Sequence, residues 1–413
     1  MKKFPFKVLT LATLATVITA TSGNTIHALA QEQTAQEQKV GNYALGPEGM
    51  KLALAQTGSH IFVMDLYAKT MIKQPNVNLS NIDLGSEGGE LLKNIHLNQE
   101  LARINANYWL DTAKPQIQKT ARNIVNYDEQ FKNYYDTLVD TVQKKDKAGL
   151  KEGINDLITT INTNSKEVTE VIKVLQDFKA KLYTNSTDFK NNVGGPDGKG
   201  GLTAILAGQQ ALIPQLQAEI EKLHSTQKKH FDDVLAWSIG GGLGAAILVI
   251  GAIAGVVVIV VTGGTATPAV IGGLATFATT LGAAGIGLGT ASGVMASNHM
   301  NSYNEISKKI GELGTKADLA SQAVISLTTA KATLTELYQT VDQAIMSLTN
   351  IQQQWNTMGA NYTDLHDNID SMQEHKLSLI LDDLKAAKQS WNDIHKDAES
   401  ISKDIAFKQE EKN

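Results

Sequence analysis

Between Asp233 and Glu305 the chain carries no Asp, Glu, Lys or Arg, and His299 is the only ionisable side chain of that kind there. Two apolar runs, Val234–Val261 and Ala269–Met295, flank Thr262-Gly263-Gly264-Thr265-Ala266-Thr267-Pro268. Each is longer than the ~20 residues that cross a bilayer as helix. The two runs differ in kind. The first ends in Val256-Val257-Val258-Ile259-Val260-Val261, a β-branched stretch that prefers strand over helix. The second is padded with Gly, Ala, Thr and Ser around Val270, Ile271, Leu274, Phe277, Leu281, Ile286, Leu288 and Val294. Small residues contribute little transfer energy, so that half inserts only weakly by itself.

Three fates are open to such an insert: a buried core, a constitutive membrane hairpin, or an element sheltered in water and released into lipid later. The helices on either side carry apolar seams of their own, which weakens the first. The lysines at both flanks (Lys222, Lys228 and Lys229 before, Lys308 and Lys309 after) oppose the second in an exported chain, because flanking positive charge tends to stay cytoplasmic. The third is favoured, since small side chains and permissive backbone suit a segment that must hold two conformations. The residues expected to enter lipid are Trp237, Ile247, Leu248, Val249, Ile250, Ile253, Val256, Val257, Val258, Ile259, Val260, Val261, Val270, Ile271, Leu274, Phe277, Leu281, Ile286 and Leu288, with a turn at Gly263, Gly264 and Pro268. Trp237 stands at the margin of the apolar zone, where an indole marks either a headgroup boundary or a core position. The pairs Gly240/Gly244 and Gly251/Gly255 and the triplet Gly285/Gly289/Gly293 have the four-residue spacing of close helix contacts, a weak signal in so glycine-rich a stretch.

Outside the insert the chain reads as amphipathic helix. Tyr303, Ile306, Ile310, Leu313, Ala317, Ala320, Val324, Leu327, Lys331, Leu334, Tyr338, Val341, Ile345, Leu348, Gln352 and Trp355 alternate steps of three and four, a heptad that keeps one seam against a partner helix. Only Lys331 and Gln352 interrupt it. A second seam runs Ile154, Ile158, Ile161, Val168, Ile172, Leu175 and Leu182, with Ser165 and Lys179 in two slots, and stops at Gly194-Gly195-Pro196-Asp197-Gly198. A third goes from Leu202 through Ile205, Leu212, Leu216, Ile220 and Leu223 towards Phe231, with a kink expected at Pro214. Leu97, Leu101, Ile104 and Tyr108 form another seam before Pro115; Ile124, Tyr127, Phe131, Tyr134 and Leu138 follow it. Further helices are expected over Glu48–Lys73 and about Leu381–Phe407. The fold class is therefore all-α, an elongated antiparallel bundle of about five long helices.

Met1–Lys7 is basic, Val8–Ala20 apolar, and Ala28-Leu29-Ala30 is a small-x-small site, the layout of a secretory signal peptide over residues 1–30. Its removal takes Lys2, Lys3 and Lys7, leaving 34 basic residues against 42 acidic, a net charge of −8. That balance argues against nucleic acid as partner. The only arginines are Arg103 and Arg122, so bidentate clamps on phosphate are scarce. Without cysteine there is no disulfide framework, thiolate nucleophile or thiolate metal site. The glycine-rich run at Gly194–Gly201 fails the phosphate-loop pattern, with Val193 where a glycine is needed and Gly200 where Ser or Thr is needed. Gly285–Gly289 lacks dinucleotide spacing. His224 and His230 could share a helix face but read as a solvated pair; Asp232-Asp233 and Asp382-Asp383 read as solvated surface. No catalytic, cofactor-binding or metal-binding set can be argued, and no enzyme is expected.

The segments Asn42-Tyr43-Ala44-Leu45-Gly46-Pro47-Glu48-Gly49, Gln74-Pro75-Asn76-Val77, Ala106-Asn107-Tyr108-Trp109 and Trp237-Ser238-Ile239-Gly240-Gly241-Gly242 resemble the haemolysin BL / non-haemolytic enterotoxin family over essentially the whole chain after the signal. The resemblance implies an α-helical pore-forming toxin related in architecture to cytolysin A, with a five-helix bundle and a small α+β head bearing a hydrophobic β-tongue. It implies a secreted protein that acts with two sister components, oligomerising on the lipid of host membranes. The expected division is 31–233 for the first part of the bundle, 234–298 for the head and tongue, and 299–413 for the second part. The rival reading is a structural or interaction protein tethered to the producer's envelope through the insert.

Overall fold

The computed structural model describes residues 43–73, 82–198, 200–209, 213–240, 257–262, 265–270 and 319–403, with 76–77, 79, 302, 305–306 and 309 besides. Eight α-helices and one hairpin appear among them: α1 Met50–Lys73, α2 Gly85–Tyr108, α3 Lys114–Lys144, α4 Lys147–Gly194, α5 Gly201–Gln209, α6 Ile213–Gly240, β1 Val257–Thr262, β2 Thr265–Val270, α7 Leu319–Asn368 and α8 Glu374–Ser402. The helical bundle expected from periodicity is the fold.

The described residues belong to two compact units. One takes Gly58 and the residues before it with 114–175 and 344–406; the other takes 59–113 and 176–343. The helices α1, α4 and α7 contribute to both.

In the first unit α3 and α8 pack along one another. The reason is legible in α8: Leu377, Ile380, Leu384, Ala387, Trp391, Ile394, Ala398 and Ile401 alternate steps of three and four, and all are buried. The helix itself starts at Glu374, seven residues before the expected start at Leu381. Tyr127, Trp355 and Trp391 meet at the centre, with Tyr127 4.8 Å from Trp391 and 5.3 Å from Trp355 between ring centroids. Rings offset or edge-on at such distances add to the burial term. Asp128 is fully buried, bonded by the Lys132 ammonium at 2.7 Å and faced by His395 Nδ1 at 2.5 Å. Asp383 is buried too, and its Oδ2 accepts a bond from the Tyr43 backbone N–H at 3.2 Å. The expectation of a solvated Asp382-Asp383 pair is corrected for Asp383: successive helix residues point about 100° apart, so Asp382 is exposed while its neighbour enters the interior with Leu384. The polar slots of the heptads are satisfied across helices. Ser165 donates to Asn356 at 2.6 Å and Gln352 to Thr169 at 2.5 Å.

The second unit holds α2, α5, α6, the ends of α1 and α4, and the start of α7. The turn between α2 and α3 is a π-helical one, Trp109–Ala113. Pro115, in the first turn of α3, has no N–H to offer the Asp111 carbonyl, and the wider turn absorbs the loss. Helix α4 ends as expected at Gly194, and Gly195 has φ +76°. A Cβ there would stand 2.7 Å from the Gly200 backbone, so both conformation and space demand glycine.

On the run from Leu202 to Phe231 the described residues are helical as α5 up to Gln209 and as α6 from Ile213, and the stretch between them lies outside the described residues. One expectation is corrected here. The seam Leu97, Leu101, Ile104 of α2 faces outward: the three are 55%, 38% and 56% exposed. The buried positions of α2 are instead Gly88, Ile95, Asn98, Gln99, Ala102, Asn105 and Ala106.

Candidate membrane-active hairpin

The charge-free insert is entered from α6 and left towards α7. Within the second unit these helices are pinned to each other by polar contacts on their mutual face. The Lys331 ammonium bonds Glu221 Oε1 at 2.6 Å, and His224 Nε2 lies 3.1 Å from Thr329 Oγ1. Burial alone would raise the Glu221 carboxyl, but the bond and charge of Lys331 hold it below the usual carboxylate range. His224 is buried rather than solvated, so the expected solvated pair with His230 does not form. The heptad interruption at Lys331 is thus a clasp. Glu221 and Thr329 were not singled out by the sequence; a polar residue inside an otherwise apolar seam was the available signal.

Between α6 and α7 in sequence comes an antiparallel two-stranded sheet, with pairs running from Val257↔Val270 to Thr262↔Thr265. Gly263 and Gly264 separate the strands in sequence, a spacing that suits a two-residue hairpin loop. The β-branched run forms β1 because Val and Ile are stiff at χ1 and fit a pleated ribbon. Pro268 does not stand in the turn, as the sequence had suggested, but inside β2 opposite Ile259. Counting from a hydrogen-bonded closing pair at Thr262 and Thr265, the alternation of an antiparallel ladder makes 259/268 a non-bonded pair. A proline there withholds an N–H that would point off the ribbon's edge, which is where strands tolerate it. The register gathers positions 257, 259, 261, 266, 268 and 270 on one face, occupied wholly by apolar residue types; Thr262, Thr265 and Thr267 fall on the other.

Of the residues expected to enter lipid, Val257, Val258, Ile259, Val260, Val261 and Val270 stand on the two strands, and Trp237 in the last turn of α6. Ile247, Leu248, Val249, Ile250, Ile253, Val256, Ile271, Leu274, Phe277, Leu281, Ile286 and Leu288 lie outside the described residues, as do Gly263, Gly264 and the remainder of a head. Among the described residues no helix is long and apolar enough to cross a membrane, and no cluster of His, Asp and Glu could hold a metal ion.

Comparison with known proteins gives these likenesses. The family described as Bacillus haemolytic enterotoxin (HBL) matches residues 44–230. An uncharacterised Bacillus cereus protein from the hblA 3′ region is 31% identical over 157 residues, covering 38% of this chain and 99% of that protein. The solved structure of the Bacillus cereus HblL1 toxin component is 88% identical with a TM-score of 0.83, covering 89% of this chain and all of that one. Soluble AhlB of the tripartite α-pore-forming toxin of Aeromonas hydrophila superposes with a TM-score of 0.60 over 86% of this chain and 92% of its own, at 20% identity. That last likeness is one of fold.

Proposed function

The chain belongs to the Bacillus haemolytic enterotoxin (HBL) family, and on that premise we propose that it is a secreted, non-enzymatic component of a multi-part pore-forming toxin. In this reading it acts with two sister components on host-cell membranes. The segment 234–298 serves as the head, Val234–Met295 enters lipid, and the pairing of β1 with β2 supplies the tongue. The observation that carries the proposal is an antiparallel ribbon inside a segment without a single Asp, Glu, Lys or Arg.

The driving force follows from area. At roughly 25 cal/mol per Å² of apolar surface, a segment of this length has a membrane preference of tens of kcal/mol. Opposing it is the backbone, whose N–H and C=O groups must be paired once water is left behind. A ribbon of two strands pairs only its inner edges, so lining a pore requires the segment to become helix or to join neighbouring copies.

The test is a chain lacking Val249–Ile271, secreted and mixed with its sister components on red cells and on dye-loaded liposomes. A folded, soluble deletion variant that no longer lyses supports the reading. Undiminished lysis by that variant rejects it.

A further inference from the structure

Helix α2 turns an apolar stripe outward. Its heptad positions Leu97, Leu101 and Ile104 are 55%, 38% and 56% exposed, while its inner face holds Asn98, Gln99 and Asn105 beside Ile95, Ala102 and Ala106. That inner face is committed to its own unit: Gln99 Oε1 accepts the Val77 N–H at 3.2 Å, and the Asn98 carbonyl accepts Asn185 of α4 at 2.9 Å. The helix therefore cannot turn over to hide its leucines. An outward stripe at i, i+4 and i+7 has the anchor spacing with which one helix docks on another.

We propose that this stripe is the docking seam for an amphipathic helix of a sister toxin component, which brings an apolar seam and a lysine or arginine opposite Glu100. The proposal rests on the toxin reading above and adds to it the surface through which this chain meets its partner. Two observations select the occupant. Half-exposed leucine-type side chains offer on the order of 100 Å² each, so three supply well under the ~800 Å² per partner of a standard interface. The stripe alone thus holds no stable dimer in solution and needs a partner engaged elsewhere as well. Charge then disfavours a second copy. Tyr108, the next heptad position, is covered by the Lys181 ammonium at 4.1 Å from its ring. An antiparallel copy is left to match Leu97 with Leu101, which sets exposed Glu100 beside its own equivalent, a like-charge contact that costs stability.

The chain has no cysteine, so a single Leu101→Cys substitution reports on the stripe without background. In the purified soluble chain the thiol is expected to react with a maleimide at the rate of an exposed site. On red-cell membranes it is expected to become protected at least tenfold once the sister components are added, and not before. The double variant Leu101→Ser, Ile104→Ser is expected to melt like the wild type, and to need at least thirtyfold more protein for lysis. Glu100→Lys is expected to lower lysis more than tenfold.

Protection already present in the soluble chain assigns the stripe to a segment of the chain itself and overturns the proposal. Protection on membranes alone assigns it to lipid, and protection that rises with this chain's own concentration assigns it to a second copy; each overturns it too. Unchanged lysis by the double variant does the same. Failure of the wild-type chain to lyse with its sister components would reject the toxin reading instead, whatever the labelling shows.

Discussion

The indole Nε1 of Trp109 donates to Asp65 Oδ1 at 2.8 Å, with both side chains fully buried, tying the π-helical turn after α2 to α1. Trp109→Phe keeps most of the apolar volume and removes the donor. Losing one hydrogen bond to a buried carboxylate costs about 1–3 kcal/mol, and that loss is expected in denaturant titrations followed by circular dichroism. Asp65→Leu added to Trp109→Phe is expected to cost less than the two single changes together, because the pair acts as one unit.

Trp391 sits fully buried between Tyr127 and Trp355. Trp391→Ala opens a cavity at the centre of the first unit and is expected to cost about 3–5 kcal/mol. Leu379, 39% exposed on the same helix, provides the control: Leu379→Ala is expected to change stability by about 0.5 kcal/mol or less. Thermal melting of the two variants side by side decides the matter.

His60 is buried on α1, and desolvation lowers its pKa from 6.5 to about 4. Because the folded value is the lower one, the unfolded chain binds the extra proton first as the solution is acidified. The contribution to stability is complete above pH 6.5 and is lost as pH falls towards 4. Between pH 7.5 and 5 the expected loss is on the order of 2 kcal/mol. The measurement is the difference in unfolding free energy between wild type and His60→Gln at the two pH values, and a difference independent of pH would contradict the assignment.

Ile259, paired with Pro268 on the wholly apolar register of the hairpin, is the position to test for entry into lipid. A carboxylate in the middle of a bilayer costs about 3 kcal/mol or more. Ile259→Asp is therefore expected to lower lysis of red cells at least a hundredfold, with secretion and melting temperature unchanged. Thr265→Ser, on the other register, is expected to lyse as the wild type does.

The helices were legible because burial repeats with the helix period. The α8 positions from Leu377 to Ile401 show it without a break, and in α7 Ala320, Val324, Leu327, Leu334, Val341, Leu348 and Trp355 are buried on the expected seam. Periodicity finds a seam but does not say what covers it, which is why Leu97, Leu101 and Ile104 read like the buried seams and are exposed. Asp383 reads as solvated surface in the sequence for a related cause, since its interior position depends on a backbone N–H from Tyr43, 340 residues away in sequence. Pro268 was misplaced because proline marks turns on average, whereas a narrow ribbon has outer edges that accommodate it equally well. The β-branched run was the informative local signal at the candidate site. The clasp of Glu221 on Lys331 became visible only when two helices were brought together.

The ribbon of β1 and β2 has two strands and no third among the described residues. If it crosses into a bilayer as a ribbon, each copy leaves its outer amides wanting, and only company can supply them. Damage to a target cell would then depend on crowding more than on arrival. The rate of lysis should climb as a high power of dose, leaving a sparsely decorated cell almost untouched and a densely decorated one open within a narrow span of concentration.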